Sequence, residues 1–367
     1  MNILQILQAY YQNKTYSFTG SVSEEIKKMN QQSLAGYLYF VYGQPFEQVY
    51  LGCTLMQEKF HHLEEKISSL FVSHQIKHLF IKGAVLSKLY PDEALRLRGD
   101  IDVVVCPEEY SFAQKLLKEQ GFQFIEECGH HTEYLYEQLV VELHLSLFEE
   151  QDIFYTYFEN VFEHATQQNS YLYEMDHTFH YLYCLAHLNK HLATGEGIRY
   201  ILDFFHMCQK WELDAELEEE VKKLNLEQLH HSVHGAIHII TQQSFIKHYD
   251  LRGGKKLIDA MMKKGVHAKN EDVSKATVSY QFFLFSNQSK FKFLLETLFL
   301  FNKEHRKRIY PRLSKCWLFY PILFLHRFFY LTIFKLPNLL KILFSNKKKV
   351  EKERKEQEQI GIKQLKK

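Results

Sequence analysis

The fold is decided within FIKGAVLSKLYPDEALRLRGDIDVVV, Phe80 to Val105. An apolar run ends in a Lys82-Gly83 corner, a short amphipathic segment follows, and a second apolar run opens with two aspartates. Side chains two apart on a strand share a face, so Asp100 and Asp102 project together while Ile101 and Val103 point the other way. Two carboxylates on one point repel unless a cation lies between them, and hard oxygen donors suit Mg²⁺ or Mn²⁺. Upstream, a glycine between strand and helix lets backbone amides approach an anion, and Lys82 and the helix start add positive potential. A carboxylate on a neighbouring strand is the remaining need of metal-assisted phosphoryl or nucleotidyl transfer, and VELHLSL offers Glu142 with His144 on the same face.

Short β-branched or alternating runs surround this stretch: HLFI (78–81), IDVVV (101–105), FQFIEE (122–127) and LVVELHLSL (139–147) predict strands. AVLSKLY and EEYSFAQKLLKEQG predict helices between them, the second stopped by Gly121. Before residue 74 the apolar spacing is helical, with Val49, Cys53, Met56, Phe60, Leu63, Ile67 and Leu70 on one side of a long helix. After Phe154 the helical period returns. The class is therefore α+β: a helical part over 1–73, a small mixed-sheet core over 74–153 and a helical domain over 154–310. Arg252 to Lys275, with adjacent glycines and many lysines, reads as an exposed connection. An aromatic-basic segment over 311–345 and a charged tail over 346–367 complete the chain.

Composition narrows the class. The 367 residues are 46% hydrophobic and 24% charged, enough for packed domains. A net charge of +1, with no basic stripe interleaved with aromatics, argues against nucleic acid as partner. Six scattered cysteines without a CxxC pair, and no signal-like start, lead to the expectation of a reduced, cytoplasmic protein. Residues 316–344 are apolar but interrupted by His326, Arg327, Lys335 and two prolines. Core packing and peripheral membrane contact both stay open for them.

The ensemble resembles the nucleotidyltransferase fold of the DNA polymerase β superfamily. More narrowly, IKGAVLSKLYPDEALRLRGDIDVVV is similar to a bacterial nucleotidyltransferase family with a Lys-Gly turn, Tyr-Pro and an Arg-x-x-Gly-Asp-x-Asp core. VELHLSL, HLNKHLATGEGIRYILDF and IYPRLSKCWLFYPILFLHRFF resemble later pieces of that family. The resemblance implies a metal on Asp100, Asp102 and Glu142, which are also the catalytic residues. It implies an NTP, by default ATP, whose phosphates meet Lys82, Gly83 and Arg96, and an unidentified acceptor. Two departures stand out: Gly83 is followed by Ala84 rather than serine or glycine, and the third acid is glutamate.

Other polar residues carry two readings. Arg98 and Arg96 would contact phosphate or brace the carboxylates. His144, His187, Lys190, His191, Arg199 and Asp203 would face the nucleotide or form an interhelical polar network. His231, His234 and His238 share a helix face, yet no cysteine or carboxylate completes a zinc set there. Against the transferase stands a binding or regulatory module, antitoxin-like or membrane-associated, that keeps the fold without the chemistry. A phosphohydrolase fits less well, because no clustered His/Asp ligand set is visible.

Overall fold

The computed structural model describes residues 1–264, except 151 and 193–195, together with six positions between 320 and 329. The expectations for 265–310, most of 311–345 and all of 346–367 lie outside the described residues. The chain divides into two compact units, Met1–His267 with Ile360–Lys363 and Ala268–Gln359 with Gln364–Lys367. All elements named here belong to the first.

Four helices come first: α1 (Ile3–Tyr11), α2 (Val22–Asn30), α3 (Tyr37–Tyr42) and the long α4 (Glu47–Ser73). Next come β1 (His78–Ile81), the single turn α5 (Gly83–Leu86), β2 (Asp100–Val105), α6 (Pro107–Glu119), β3 (Gln123–Cys128), β4 (His131–Tyr136) and β5 (Leu139–His144). Then follow α7 (Tyr155–Phe158), β6 (Ala165–Gln167), β7 (Leu172–Met175), α8 (His177–His191), α9 (Arg199–Lys210), α10 (Leu217–Lys223), α11 (Glu227–Thr241) and α12 (Leu251–Lys264). The seven strands form one mixed sheet in the order β3-β4-β5-β2-β1-β7-β6. β2 runs parallel to β5 and antiparallel to β1, while β1 runs parallel to β7.

Local chemistry explains the boundaries. Pro107 opens α6, where its missing N–H costs nothing, and Gly121 at φ +86° takes the left-handed position after the helix. Asp176 caps α8 by accepting from the Phe179 amide at 3.0 Å. Alternation in β2 and β5 splits the sheet into two faces. Ile101, Val103, Val105, Val141 and Leu143 pack with Phe60, Leu63 and Ile67 of α4 and with Tyr110, Ala113 and Leu117 of α6. The other face carries Asp100, Asp102, Glu142 and His144. Val104 and Ile81 on that side join a larger core with α8, α9 and α11.

Four readings of the sequence need correction. β4, β6 and β7 are strands that the sequence reading did not place, and the last two fall where only helix was expected after Phe154. β6 and β7 are three and four residues long and largely exposed, too short for alternation to register. The α4 stripe is buried at Gln57 and Glu64, whereas Met56 is 39% exposed. Both polar residues are held there by arginine, as described below. Finally, 251–264 is not a connection but α12, with Leu257, Ile258 and Met261 buried. Its glycines permit close crossing: a Cβ on Gly254 would lie 2.4 Å from the Ala236 amide nitrogen of α11.

Candidate active site

A cavity of about 370 Å³ opens on the polar face of β2, β4 and β5, with residues of α8 and α9 also in its wall. The parallel register sets Asp102 directly beside Glu142, and Asp100 stands one pleat earlier on the same face. Asp102 is 1% exposed, and its Oδ2 has no hydrogen-bond partner among the described residues. Its Oδ1 accepts from Lys82 Nζ at 2.7 Å and lies 2.9 Å from His144 Nε2. His144 Nε2 also lies 3.2 Å from Glu142 Oε2.

Electrostatics follows from this crowding. Burial and the charges of Asp102 and Glu142 push the Asp100 carboxyl up to about 7. Burial would raise Asp102 too, but Lys82 and His144 hold it well below the usual carboxylate range. Burial works against the Lys82 ammonium, yet Asp102 keeps it charged and lifts its pKa well above the ordinary value. His144 is raised as well: the bonds to Asp102 and Glu142 outweigh burial, which lowers it.

The corner at Lys82 differs in detail from expectation. Lys82, not the glycine, takes the strained conformation, at φ 47° and ψ −118°, a region that costs a side chain about 1–3 kcal/mol. Its amide donates to His180 Nε2 of α8 at 3.3 Å. This sharp elbow between β1 and α5 turns the Lys82 side chain into the cavity. Gly83 lets two arginine side chains pack against the corner: a Cβ there would lie 3.1 Å from Arg98 Cδ and 3.3 Å from Arg96 Nη1, and both would have to shift by a few tenths of an ångström. Because α5 has one turn, its dipole adds little, and side-chain cations supply the positive potential.

Those cations are already anchored. Arg96 donates from Nε and Nη2 to Asp203 at 2.6 and 2.9 Å, and Tyr90 Oη donates to the same carboxylate at 2.7 Å. Arg98 donates to Gln57 Oε1 at 2.8 Å and pairs with Glu64, both on α4. Neither arginine braces the aspartates directly. Of the helical candidates, His187, Lys190, His191 and Arg199 line the cavity, whereas Asp203 is the buried partner of Arg96. Arg199 Nη1 donates to the Leu97 carbonyl at 2.7 Å, and Lys190 reaches Asp152 at 3.3 Å. His234 bonds Tyr181 Oη rather than joining a ligand cluster.

Sequence reasoning missed His130, His131 and Glu133, which the unread strand β4 brings to the cavity, and Tyr183, Glu196 and Tyr200. Burial raises Glu196 to about 7. The alternation of His131, Glu133 and Leu135 against buried Thr132 and Tyr134 was the available signal for β4.

The donor set fits a hard divalent ion. Asp102 Oδ2 is a buried anionic oxygen without a partner, and Asp100, Asp102 and Glu142 accumulate negative charge that two-valent charge would relieve. Asp102, Glu142 and His144 place ligand atoms within 4.8 Å of one another. No helix among the described residues is long and apolar enough to cross a membrane.

No curated protein and no solved structure matches the chain. A family model described as an uncharacterised nucleotidyltransferase matches residues 24–243, more than half of the sequence and every strand of the site. With the paired acids, their partner strand and the lysine elbow inside that match, the chain belongs to the uncharacterised nucleotidyltransferase family.

Proposed function

We propose that the protein is an Mg²⁺-dependent nucleotidyltransferase that moves a nucleoside monophosphate from an NTP, by default ATP, to an acceptor hydroxyl or phosphate. The observation that carries this reading is the side-by-side placement of Asp102 and Glu142 on parallel strands, one pleat from Asp100, opposite Lys82. In the proposed roles, Asp100, Asp102 and Glu142 hold the ion, with Mn²⁺ as a substitute. When bound, it would neutralise triphosphate charge and polarise the α-phosphate. Lys82 exchanges its contact with Asp102 for the β- and γ-phosphates, and the Gly83 amide adds a donor to them. Arg96, fixed by Asp203, offers its remaining Nη1 edge. Glu142 takes the acceptor proton as the acceptor oxygen bonds to the α-phosphorus. The bond from that phosphorus to the bridging oxygen breaks, and pyrophosphate leaves. His187, Lys190, His191 and Arg199 form the nucleotide side of the cavity in this reading.

The test is calorimetric titration of ATP, CTP, GTP and UTP with and without Mg²⁺, on the wild type and on Asp100→Asn/Asp102→Asn. Metal-dependent binding of one nucleotide, lost in the double variant, is the expected result. A folded wild type that binds none would transfer the reading to a binding or regulatory module that keeps the fold alone. Peripheral contact of 316–344 with a membrane belongs to that second reading and would be read by vesicle co-sedimentation.

A further inference from the structure

Three imidazoles meet at one end of the carboxylate row. His130 is the turn residue before β4 and His131 opens the strand, where the antiparallel register places it opposite His144, the last residue of β5. Ring centroids are 4.7 Å apart for His130 and His131, 5.7 Å for His130 and His144, and 5.1 Å for His131 and His144. One ring nitrogen from each of the three lies within 4.8 Å of the others.

In His130 and His144 one ring nitrogen is left without a partner among the described residues. His144 is 1% exposed, and its Nε2 is occupied by Asp102 and Glu142. Its Nδ1 is buried with no hydrogen-bond partner among the described residues, as is Nδ1 of His130. His131 has a neighbour at both nitrogens, with Nε2 3.4 Å from Glu133 Oε1 and Nδ1 3.4 Å from His130 Nε2. A separation of 3.4 Å between ring nitrogens is long for a hydrogen bond. It is close to the roughly 3.3 Å between ligands that tetrahedral coordination at ~2.0–2.1 Å requires. His144, with Nε2 held by Asp102 and Nδ1 left over, has the arrangement by which metal-binding histidines are oriented.

We propose that His130, His131 and His144 form a second metal site, for a zinc-class divalent ion. His131 and His144 bind through Nδ1, while Glu133 and Asp102 orient them from behind. Nitrogen donors favour such ions over Mg²⁺, so two adjacent sites sort two kinds of metal by donor chemistry. His144 joins them: a metal on Nδ1 makes Nε2 an N–H donor to Asp102, so occupancy of one site changes the carboxylate of the other. The site goes beyond nucleotidyl transfer and does not depend on it.

Co²⁺ is the probe, because its visible absorption reports four-coordination directly. Tag-free, full-length protein is titrated with Co²⁺ in millimolar Mg²⁺, which occupies the oxygen-donor site, and Zn²⁺ is then added as competitor. The expected result is one equivalent of Co²⁺ with intense four-coordinate bands, bleached by Zn²⁺. His130→Ala/His131→Ala should weaken it at least tenfold, and Glu133→Gln should weaken it about tenfold with the ligands intact. Asp100→Asn should leave it in place. Absence of these bands in the wild type overturns the proposal. So does unchanged binding in the double histidine variant with a native circular dichroism spectrum, or loss in Asp100→Asn alone, which would assign the ion to the carboxylates. Should the double variant not fold, His130→Asn, at a half-buried position, decides in its place. A protein that binds Co²⁺ in this way but no NTP would keep this site and lose the transferase, so the two readings fail separately.

Discussion

Lys82 Nζ lies 2.7 Å from Asp102 Oδ1, across the antiparallel pairing in which Asp102 stands opposite Ile81, the residue before the lysine. The pair joins an aspartate side chain that is 1% exposed to a lysine side chain that is 19% exposed. Removing one member of such a pair leaves a buried charge and costs about 3–5 kcal/mol. Lys82→Met is therefore expected to lower the melting temperature in metal-free buffer, and millimolar Mg²⁺ is expected to recover part of the loss. NTP affinity should fall more than tenfold. Differential scanning fluorimetry with and without Mg²⁺ checks the first, and equal melting curves for variant and wild type would refute it.

Arg96 and Asp203 make a two-bond pair that is 3% and 1% exposed, and Tyr90 adds a third bond. Asp203→Asn leaves the guanidinium without its counter-charge and should cost about 3–5 kcal/mol. Tyr90→Phe removes one hydrogen bond to a charged group and should cost about 1.5–3 kcal/mol. Guanidinium unfolding curves would give both values, and the order between them is the point at risk.

Acid should destabilise the fold through its neutral histidines. Burial lowers His206 to about 4 and His180 to about 3, from an ordinary 6.5. The unfolded chain thus binds more protons between those values. Their contribution is complete above pH 6.5 and is lost as pH falls through 4 for His206 and through 3 for His180. Each group adds at most about 1.4 kcal/mol per pH unit to the slope. His206→Gln should flatten the decline between pH 6.5 and 5 in unfolding titrations, and an unchanged slope would contradict this.

The crossing of α11 and α12 leaves no room for a side chain at Gly235 or Gly254, where it would meet backbone, and leaves room at Gly253 only if neighbouring side chains move. A Cβ on Gly253 would fall 2.3 Å from Ser232 Oγ, and one on Gly235 would fall 2.0 Å from the Asp250 carbonyl oxygen. Gly235→Ala meets backbone and should undock α12, exposing Leu257 and Met261. Limited proteolysis should then cleave within 251–264, whereas Ser232→Gly/Gly253→Ala should resist cleavage better than Gly253→Ala alone.

Legibility in the sequence followed the strength of local pattern. Asp100 and Asp102 were readable because strand alternation fixes their common face, and Glu142 because β5 alternates cleanly. Arg96 and Asp203 could not be matched, since 107 residues separate them and only the packing of α9 reveals the pair. The strain at Lys82 was hidden by the adjacent glycine, to which such a corner is ordinarily ascribed. His131 and Glu133 were lost with β4, whose polar alternation resembles a solvated loop when its partner strands are unknown.

β2 is an interior strand, paired with β5 over 100–104 and with β1 over 102–105. At Asp102 the strand is paired on both sides and at Asp100 on the β5 side, so neither aspartate can be re-aimed without breaking a ladder. Under the proposed function, a change of acceptor would have to occur around this fixed pair of acids. In the proposed transferase the residues free to drift are those that α8, α9 and β4 contribute to the rim, so acceptor choice would be written there rather than at the acids.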